Sequence, residues 1–223
     1  MDDVKSLISK NLQRTSSKRI RSLFSEINPG LVGDKLFESR WSDKRKDAAV
    51  LIPIIARQEE PTVLLTVRSS DMPSHAGQIS FPGGRVQPED QNRVDTALRE
   101  TEEEVGIPRQ SVDVVGELGL HEGGLGFSVT PVVGIIDPSV SLTLCEREVA
   151  EAFEVPLEFV ADLNNHVTER RTHKGVDYNM FAAPYKEYHI WGLTAGILRT
   201  FAETLQTIHD ADDATAKRAI NGG

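Results

Sequence analysis

Apolar residues are distributed along this chain in two patterns, which predict strands and helices in turn. Continuous apolar runs rich in β-branched residues predict buried strands. Such a run occupies residues 48–56, and further strands are predicted over residues 62–67, 112–118, 128–136 and 176–183, with a short strand over 78–81. Apolar residues spaced i, i+3, i+4, i+7 predict one helix that ends at Gly106 and another over 192–205. The core face of the first helix consists of Val94, Ala97, Leu98, Thr101 and Val105.

Other segments give weaker signals. Pro53 favours an edge position or a bulge for the strand that contains it. Residues 121–126 include three glycines and predict a flexible loop, whereas residues 146–153 fit a helix or an irregular turn. A short helix is expected through Val160. Strands flanked by helices in this way predict an α/β fold, with a mixed sheet covered by helices on both faces.

The same patterns divide the chain into three parts. Residues 1–45 show weak helical periodicity and predict an N-terminal helical extension. Residues 46–209 contain the predicted strands and the two longer helices, and are expected to form the main domain. Residues 210–223 are polar and are expected to form a frayed tail.

Composition excludes several classes of function. The formal net charge of −9 argues against a nucleic-acid binder, which would present a basic face. A phosphorylated substrate must therefore be attracted locally, by cations and well-placed basic residues. Cys145 is the only cysteine, so it forms no intramolecular disulfide, and it has no pattern of a catalytic thiol. No apolar run reaches the roughly 18 residues that span a bilayer, and no secretory signal is visible. We expect no membrane contact and a cytoplasmic location.

An unusual cluster of carboxylates lies at the end of the first predicted helix. Glu100, Glu103 and Glu104 share one arc of that helix, where like charges repel by a few tenths of a kcal/mol per pair. A bound cation would reverse this repulsion, and carboxylates suit hard ions such as Mg²⁺ or Mn²⁺. The alternative is a solvated acidic helix face. The glycine pair Gly83 and Gly84 upstream favours the cation, because it lets the backbone come close to a ligand.

Residues 84–107 resemble the Nudix box, a loop-helix-loop motif of Nudix hydrolases. Arg99, Glu100, Glu103, Glu104 and Gly106 match the second half of the motif, Arg-Glu-x-x-Glu-Glu-x-Gly, closely. The first half departs from it. Asp90 stands where the motif has Glu, it is followed by one extra residue before the Arg-Glu pair, and Thr101 replaces an aliphatic residue. The resemblance implies a Nudix-type α/β/α sandwich.

Further segments resemble the coenzyme A pyrophosphatase branch of this family. They are residues 64–69, 75–78, 81–84, 129–134 and 190–196, so that the resemblance covers about residues 46–205. That branch often carries the same Asp and the same one-residue extension in its box. One departure concerns specificity, because Pro73 occupies the position of an arginine in the branch motif.

The family resemblance assigns roles to the residues of the box. Glu100 and Glu104 are expected to bind Mg²⁺ or Mn²⁺, followed by Glu103, and one of the three instead orients or deprotonates the attacking water. Arg99 is expected to pair with a carboxylate of the box and hold it in position. A base outside the box is an alternative, and the candidates are Glu122, Glu148 and Glu151.

Other residues are candidates for substrate contact. Gly83 and Gly84 allow the backbone to approach the diphosphate, and Arg68 is suited to bidentate phosphate binding. His75 either contacts substrate or is structural. A basic turn could meet a 3′-phosphate or form a solvated hairpin. It contains Arg170, Arg171, His173 and Lys174.

The resemblance implies a metal-dependent hydrolase that cleaves coenzyme A or its thioesters to 3′,5′-ADP and 4′-phosphopantetheine. The small-molecule substrate could instead be another nucleoside diphosphate derivative, such as an ADP-sugar, NADH or an oxidised nucleotide. A non-catalytic binding module is a third possibility, which the intact set Glu100, Glu103 and Glu104 disfavours. The resemblance also suggests a homodimer.

Overall fold

A computed structural model describes residues 5, 8, 9, 12, 23–31, 45–72, 76–123, 126–173 and 175–221. Two sheets and three helices account for most of them. The large sheet contains β1 (Lys46–Ile55), β2 (Thr62–Arg68), β3 (Ile79–Ser80), β4 (Gly83–Arg85), β5 (Val112–Glu117), β6 (His121–Gly123), β7 (Phe127–Ile136) and β8 (Val149–Pro156). The small sheet contains β9 (Val167–His173), β10 (Val176–Tyr185) and β11 (Tyr188–Trp191). The helices are α1 (Arg93–Val105), α2 (Leu157–Ala161) and α3 (Gly192–Asn221).

The large sheet is mixed. Its main path runs β3-β2-β1-β7-β5, while β4 pairs with β1, β6 with β7 and β8 with β2. The β1–β7 pair is parallel and extends from Lys46 opposite Phe127 to Ile55 opposite Ile136; the other pairs are antiparallel. The small sheet has the order β11-β10-β9. The predicted mixed α/β class is confirmed.

Strand β1 is the centre of the core because its side chains are buried on both faces of the sheet. Successive residues of a strand point to opposite faces. Leu51 accordingly packs in the cluster that includes Ala97 of α1, whereas Ile52 packs in the cluster that includes Ile197 and Phe201 of α3. Helix α1 thus lies against one face of β1 and α3 against the other.

Most predicted elements are confirmed, with small shifts at their ends, but Pro53 corrects one prediction. It lies on an inner strand, opposite Gly134 of β7, rather than at an edge or a bulge. The other side of β1 pairs with β4 only as far as Val50 and with β2 only from Ile54 onward. Residues two apart in a strand point their backbone nitrogens to the same side. The nitrogen of Pro53 therefore faces the side on which Leu51 N–H donates to Pro82 O, and not the side of β7. It therefore falls in a gap of the hydrogen-bond ladder, where no donor is required.

Several other predictions were wrong. Residues 149–156 form strand β8 instead of a helix or an irregular turn, and residues 121–123 form β6 instead of part of a loop. Helix α3 is longer than the predicted 192–205 and ends at Asn221. In the part of the chain that the structure describes, none of the helices could cross a bilayer.

The N-terminal segment contributes to the core. The side chains of Ile8 and Leu12 are buried among the residues packed against α3. Asn28 and Asn179 of β10 clasp each other: the amide of Asn28 donates to Asn179 O at 3.0 Å, and Asn179 N–H donates back to Asn28 Oδ1 at 2.7 Å. A third bond joins the Asn179 amide to Ile27 O at 2.7 Å. These contacts fasten the segment to the small sheet.

Candidate active site

Helix α1 begins and ends at residues that suit those positions. The Asn92 side chain caps its N-terminus by accepting from Asp95 N–H at 2.9 Å, and Gly106 closes the C-terminus with a φ of 74°. Thr101 is fully buried, and its hydroxyl donates to Ala97 O at 2.7 Å. That bond explains how a threonine occupies a core position of the motif, since its polar atom is satisfied within the helix.

The glycine pair brings strand β4 against the acidic face of α1. A Cβ on Gly83, whose φ is 155°, would lie 2.5 Å from Ala49 O. A Cβ on Gly84 would lie 2.5 Å from Glu100 Oε2, so only glycine leaves room for that carboxylate. Gly83 N–H donates to Glu104 Oε2 at 3.2 Å. The corner thus presents bare backbone to Glu100 and Glu104.

Glu104 is the most deeply buried carboxylate of α1, with 4% of its surface exposed. Besides Gly83 N–H, its charged neighbour is Arg68, whose Nη1 lies 4.0 Å from Glu104 Oε1. Burial raises the pKa of Glu104 to about 8, and the negative charges of Glu100 and Glu148 add to the rise. The pKa of Glu100 is also raised by burial, against the opposing effect of Arg99. Glu104 is therefore short of positive charge, whereas Glu100 has Arg99 as a close cationic partner.

Arg99 links several carboxylates around this face of α1 through hydrogen bonds. Its guanidinium donates to both oxygens of Asp90, through Nε at 2.8 Å and Nη2 at 3.0 Å. Its Nη1 donates to Glu100 Oε1 at 2.8 Å and to Glu103 Oε2 at 3.1 Å, and its Nη2 reaches Arg85 O at 3.1 Å. These bonds hold the pKa of Asp90 well below its usual range. Arg99 thereby fixes the orientation of Glu100.

The donor set fits a divalent cation that shares its coordination with a substrate. Glu100 and Glu104 are adjacent carboxylates of raised pKa beside open backbone, which is where a cation would relieve unfavourable charge. Among the described residues, no three side chains of His, Cys, Asp or Glu are arranged as a complete cage. Mg²⁺ commonly binds through one or two carboxylates and substrate phosphates, and that mode suits this pair. Glu103 is less suited, because its side chain is 58% exposed and turned to Arg99.

The structure places the other predicted site residues in different surroundings. Arg68 lies at the end of β2 beside Glu104, and its buried Nε has no hydrogen-bond partner. His75 lies outside the described residues, as does Pro73. Of the candidate bases, Glu151 accepts a hydrogen bond from the Tyr188 hydroxyl, and Glu122 lies on β6 opposite Ser128. Of these three, Glu148 is the one whose negative charge contributes to the raised pKa of Glu104.

The predicted basic turn belongs to the β9–β10 hairpin, and its two arginines, Arg170 and Arg171, lie on strand β9. Arg170 pairs with Asp177 at 2.5 Å and Arg171 with Glu169 at 2.9 Å, both within the hairpin. His173 ends β9, and Lys174 lies outside the described residues. With its arginines already neutralised, this turn matches the solvated hairpin better than a phosphate site.

Sequence reasoning did not foresee the role of Asp90. In the motif, Asp90 is only a departure from the usual Glu. In the structure it is the main partner of Arg99, and it also accepts hydrogen bonds from Gln87 N–H and the Thr96 hydroxyl, each at 2.8 Å. The sequence contains a signal for this pairing. Asp90 is an acid at the position where the motif has Glu, and it precedes Arg99, whose side chain is always positively charged.

Comparison with known proteins decides the family. Residues 44–174 match the model of the NUDIX domain. The chain belongs to the Nudix hydrolase family. It is 44% identical over 167 residues to the uncharacterized Nudix hydrolase NudL of Photorhabdus laumondii, covering 75% of this chain and 89% of the relative. It is also 44% identical over 181 residues to NudL of Enterobacter sp. strain 638, covering 81% and 90%.

Among solved structures, a Nudix hydrolase from M. smegmatis, RenU, aligns over 76% of this chain and 87% of its own, with 19% identity and a TM-score of 0.46. Membership of the family makes this protein a hydrolase of pyrophosphate bonds in nucleoside diphosphate derivatives. Nudix hydrolases generally use divalent cations, which agrees with the donor set of Glu100 and Glu104.

Proposed function

We propose that this Nudix hydrolase cleaves the diphosphate of coenzyme A or its thioesters, using Mg²⁺ or Mn²⁺, to 3′,5′-ADP and 4′-(acyl)phosphopantetheine. The observation that carries the proposal is the resemblance of five segments outside the acidic helix to the coenzyme A pyrophosphatase branch. They are residues 64–69, 75–78, 81–84, 129–134 and 190–196. We further propose that the enzyme is a homodimer that acts in the cytoplasm.

The positions of several of these segments support a common role. Arg68 N–H donates to Gln78 O at 2.9 Å and Gly77 N–H donates to Arg68 O at 3.0 Å, so Gly77 and Gln78 are held beside Arg68. The Thr194 hydroxyl donates to Ile79 O at 2.9 Å, which joins the 190–196 segment to strand β3. Gly77, Gln78 and Thr194 therefore all lie next to strand β3 and close to Arg68.

The residues of the site have distinct tasks in the proposed reaction. A divalent ion held by Glu100 and Glu104 would neutralise phosphate oxygens and polarise the attacking water. Arg99 keeps Glu100 in place through the bond at 2.8 Å. Arg68 offers its unpartnered Nε to a phosphate oxygen, as a charge-assisted donor. The glycine corner lets the backbone at Gly84 lie against the Glu100 carboxylate, which would bring that backbone close to the bound cation.

A different nucleoside diphosphate derivative is the second candidate, and two observations favour it. Pro73 replaces the arginine of the branch motif, which removes a possible phosphate contact. The arginines of the β9–β10 hairpin are paired with Asp177 and Glu169, which leaves them less able to bind a 3′-phosphate. An ADP-sugar or NADH carries no 3′-phosphate and would not need these contacts.

Substrate comparison under identical metal conditions tests the proposal. The enzyme is incubated with coenzyme A, dephospho-coenzyme A, an ADP-sugar and NADH, and the products are identified by mass. We expect coenzyme A to have the highest kcat/KM, with 3′,5′-ADP released. Dephospho-coenzyme A should be hydrolysed less efficiently because it lacks the 3′-phosphate. Equal kcat/KM values for these two compounds, or a higher value for another diphosphate, would contradict the proposal.

A further inference from the structure

The small sheet has one covered edge and one open edge. Strand β11 pairs with β10 only from Ala182 onward, and beyond it Asn28 covers β10 by binding both the N–H and the carbonyl of Asn179. Asn179 lies opposite Arg170 of β9. Since the backbone groups of Asn179 point away from β9, those of Arg170 point away from β10, as in every non-hydrogen-bonded pair of an antiparallel ladder. Strand β9 therefore forms the open edge.

Three residues of β9 direct their backbone groups to this open edge. The direction alternates along a strand, so Thr168 and Thr172 point the same way as Arg170. Within the part of the chain that the structure describes, no group forms a hydrogen bond with the backbone of these three residues on that side. Strand β9 also has no proline, lysine or bulge, which commonly block pairing at an edge. Such an edge can bind a further strand through main-chain hydrogen bonds.

The start of β9 also carries an apolar side chain that faces solvent. Of the large apolar side chains in the described ranges, only Val167 is exposed, with 42% of its surface accessible. Pairing of β9 with a further strand would cover part of that surface, which is favourable.

The charges along β9 fit a second copy of the same strand in one antiparallel register. When two copies pair around Arg170, Glu169 of each copy lies directly opposite Arg171 of the other. A shift of two residues in one direction would set Glu169 against its own copy, and a shift in the other direction would do the same with Arg171. Like charges directly opposite each other are destabilising. A shift of one residue would oppose outward and inward backbone groups, so only the first register satisfies both requirements.

The centre of this register brings Arg170 opposite its own copy. Each Arg170 is already paired with Asp177 of its own hairpin, and Asp177 also accepts from the Thr172 hydroxyl. The two arginines would therefore meet between two aspartates, in a cluster without net charge.

We propose that two copies of this protein associate through the open edges of β9, in the antiparallel register around Arg170. The two small sheets would then form one sheet of order β11-β10-β9-β9-β10-β11, with the two-fold axis at Arg170. Val167 of each copy would lie opposite His173 of the other. This inference rests on the homodimer proposed above and gives it a surface, but it does not depend on which diphosphate is hydrolysed.

Reversal of single charges tests the register, with the dissociation constant of the dimer measured by sedimentation velocity over a concentration series. Glu169→Arg and Arg171→Glu should each raise this constant by about a hundredfold, because both cross-copy pairs become repulsive. The double variant Glu169→Arg/Arg171→Glu should dimerise again, since opposite charges face each other once more. An equimolar mixture of the two single variants should form the heterodimer for the same reason.

A matched pair of variants at Arg170 tests the main-chain bonds. Arg170→Ala and Arg170→Pro both remove the ion pair with Asp177, but only proline also removes the outward N–H. Proline at this edge leaves the hydrogen bonds between β9 and β10 in place. We expect the alanine variant to dimerise like the wild type and the proline variant to be monomeric.

Different results would overturn the surface and the homodimer. A monomeric wild-type protein would contradict both proposals. A dimeric wild type would retain the homodimer, and the surface would then be wrong if the folded single variants stay dimeric, if neither the double variant nor the mixture recovers dimers, or if the two Arg170 variants dimerise equally. Melting temperatures show which variants are folded, and the substrate comparison proceeds independently of all these measurements.

Discussion

Two buried carboxylates at opposite ends of the Nudix box differ in how their charge is balanced. The Asp90 side chain is 2% exposed and receives two bonds from Arg99, so its pKa is held well below the usual range. Glu104 is 4% exposed, but it has one backbone donor and an arginine nitrogen 4.0 Å away, and its pKa rises to about 8. Similar burial thus gives opposite shifts.

The difference distinguishes a carboxylate that stabilises the fold from a carboxylate that is available to bind a cation. A buried charge with fixed partners stabilises one arrangement of the chain and has no need for a ligand. A buried carboxylate without such partners is costly until a cation reaches it. In this protein Arg99 serves the first purpose with Asp90, and we propose that Glu104 serves the second. The comparison yields predictions for activity, for stability and for pH dependence.

The largest effect is expected on activity. Glu104→Gln keeps an acceptor for Gly83 N–H but removes the negative charge that the cation needs. Loss of a metal ligand costs several kcal/mol in transition-state stabilisation, so kcat should fall by roughly a hundredfold to ten-thousandfold. Glu103→Gln, at a side chain that is 58% exposed, should cost clearly less. Steady-state kinetics of the two variants measure this, and a larger loss for Glu103→Gln would reverse the assignment.

A smaller effect is expected on stability. Arg99→Met leaves Asp90 buried without its partner, and breaking such a pair costs about 3–5 kcal/mol. Urea denaturation should show this loss in the free energy of unfolding. The double variant Arg99→Met/Asp90→Asn should recover part of it, because no uncompensated charge remains. A single variant as stable as the wild type would show that Asp90 gains little from its pairing.

The smallest effect is a pH dependence of the metal-free protein. Since the pKa of Glu104 is raised, the folded state binds more protons than the unfolded state up to about pH 8, and stability falls as pH rises. The pKa of buried His121 is lowered to about 4, so its effect has the opposite sign and ends near its ordinary value of 6.5. Between pH 6.5 and 8, we expect unfolding with chelator present to become easier by up to about 2 kcal/mol.

Matched measurements separate the contributions to this decline. Glu104→Gln should remove most of it, and Mg²⁺ should oppose it in the wild type, because a cation balances the carboxylate. Asp90 should contribute nothing in this range, since its pKa is shifted downward. A decline of equal size in Glu104→Gln would assign the effect to another group.

The parts of this structure that depend on neighbouring residues were predictable from sequence. Helix α1, its core face and its end at Gly106 follow from local periodicity and a glycine in the left-handed conformation. The grouping of Glu100 and Glu104 on one side of α1 follows from the same periodicity. The corner at Gly83 and Gly84 also follows, because only glycine tolerates the approach of the backbone that the structure shows there.

Features that depend on distant partners were not predictable in the same way. Residues 149–156 have no regular helical or alternating pattern, and they form a strand because β2, far earlier in the chain, supplies the hydrogen bonds. Pro53 is tolerated on an inner strand because of where β4 ends and β2 begins. The pairing of Arg99 with Asp90 depends on how the loop before α1 folds back onto the helix. The spacing of the motif does not specify the path of that loop.

The clasp between Asn28 and Asn179 bears on when the protein can fold during its synthesis. Its two partners are 151 positions apart, and the pocket for Ile8 and Leu12 includes side chains of α3. The N-terminal segment therefore leaves the ribosome long before its binding surface exists. Until most of the chain has been translated, the apolar side chains of Ile8 and Leu12 lack the α3 residues of their hydrophobic cluster, so they stay exposed to other apolar surfaces for most of synthesis.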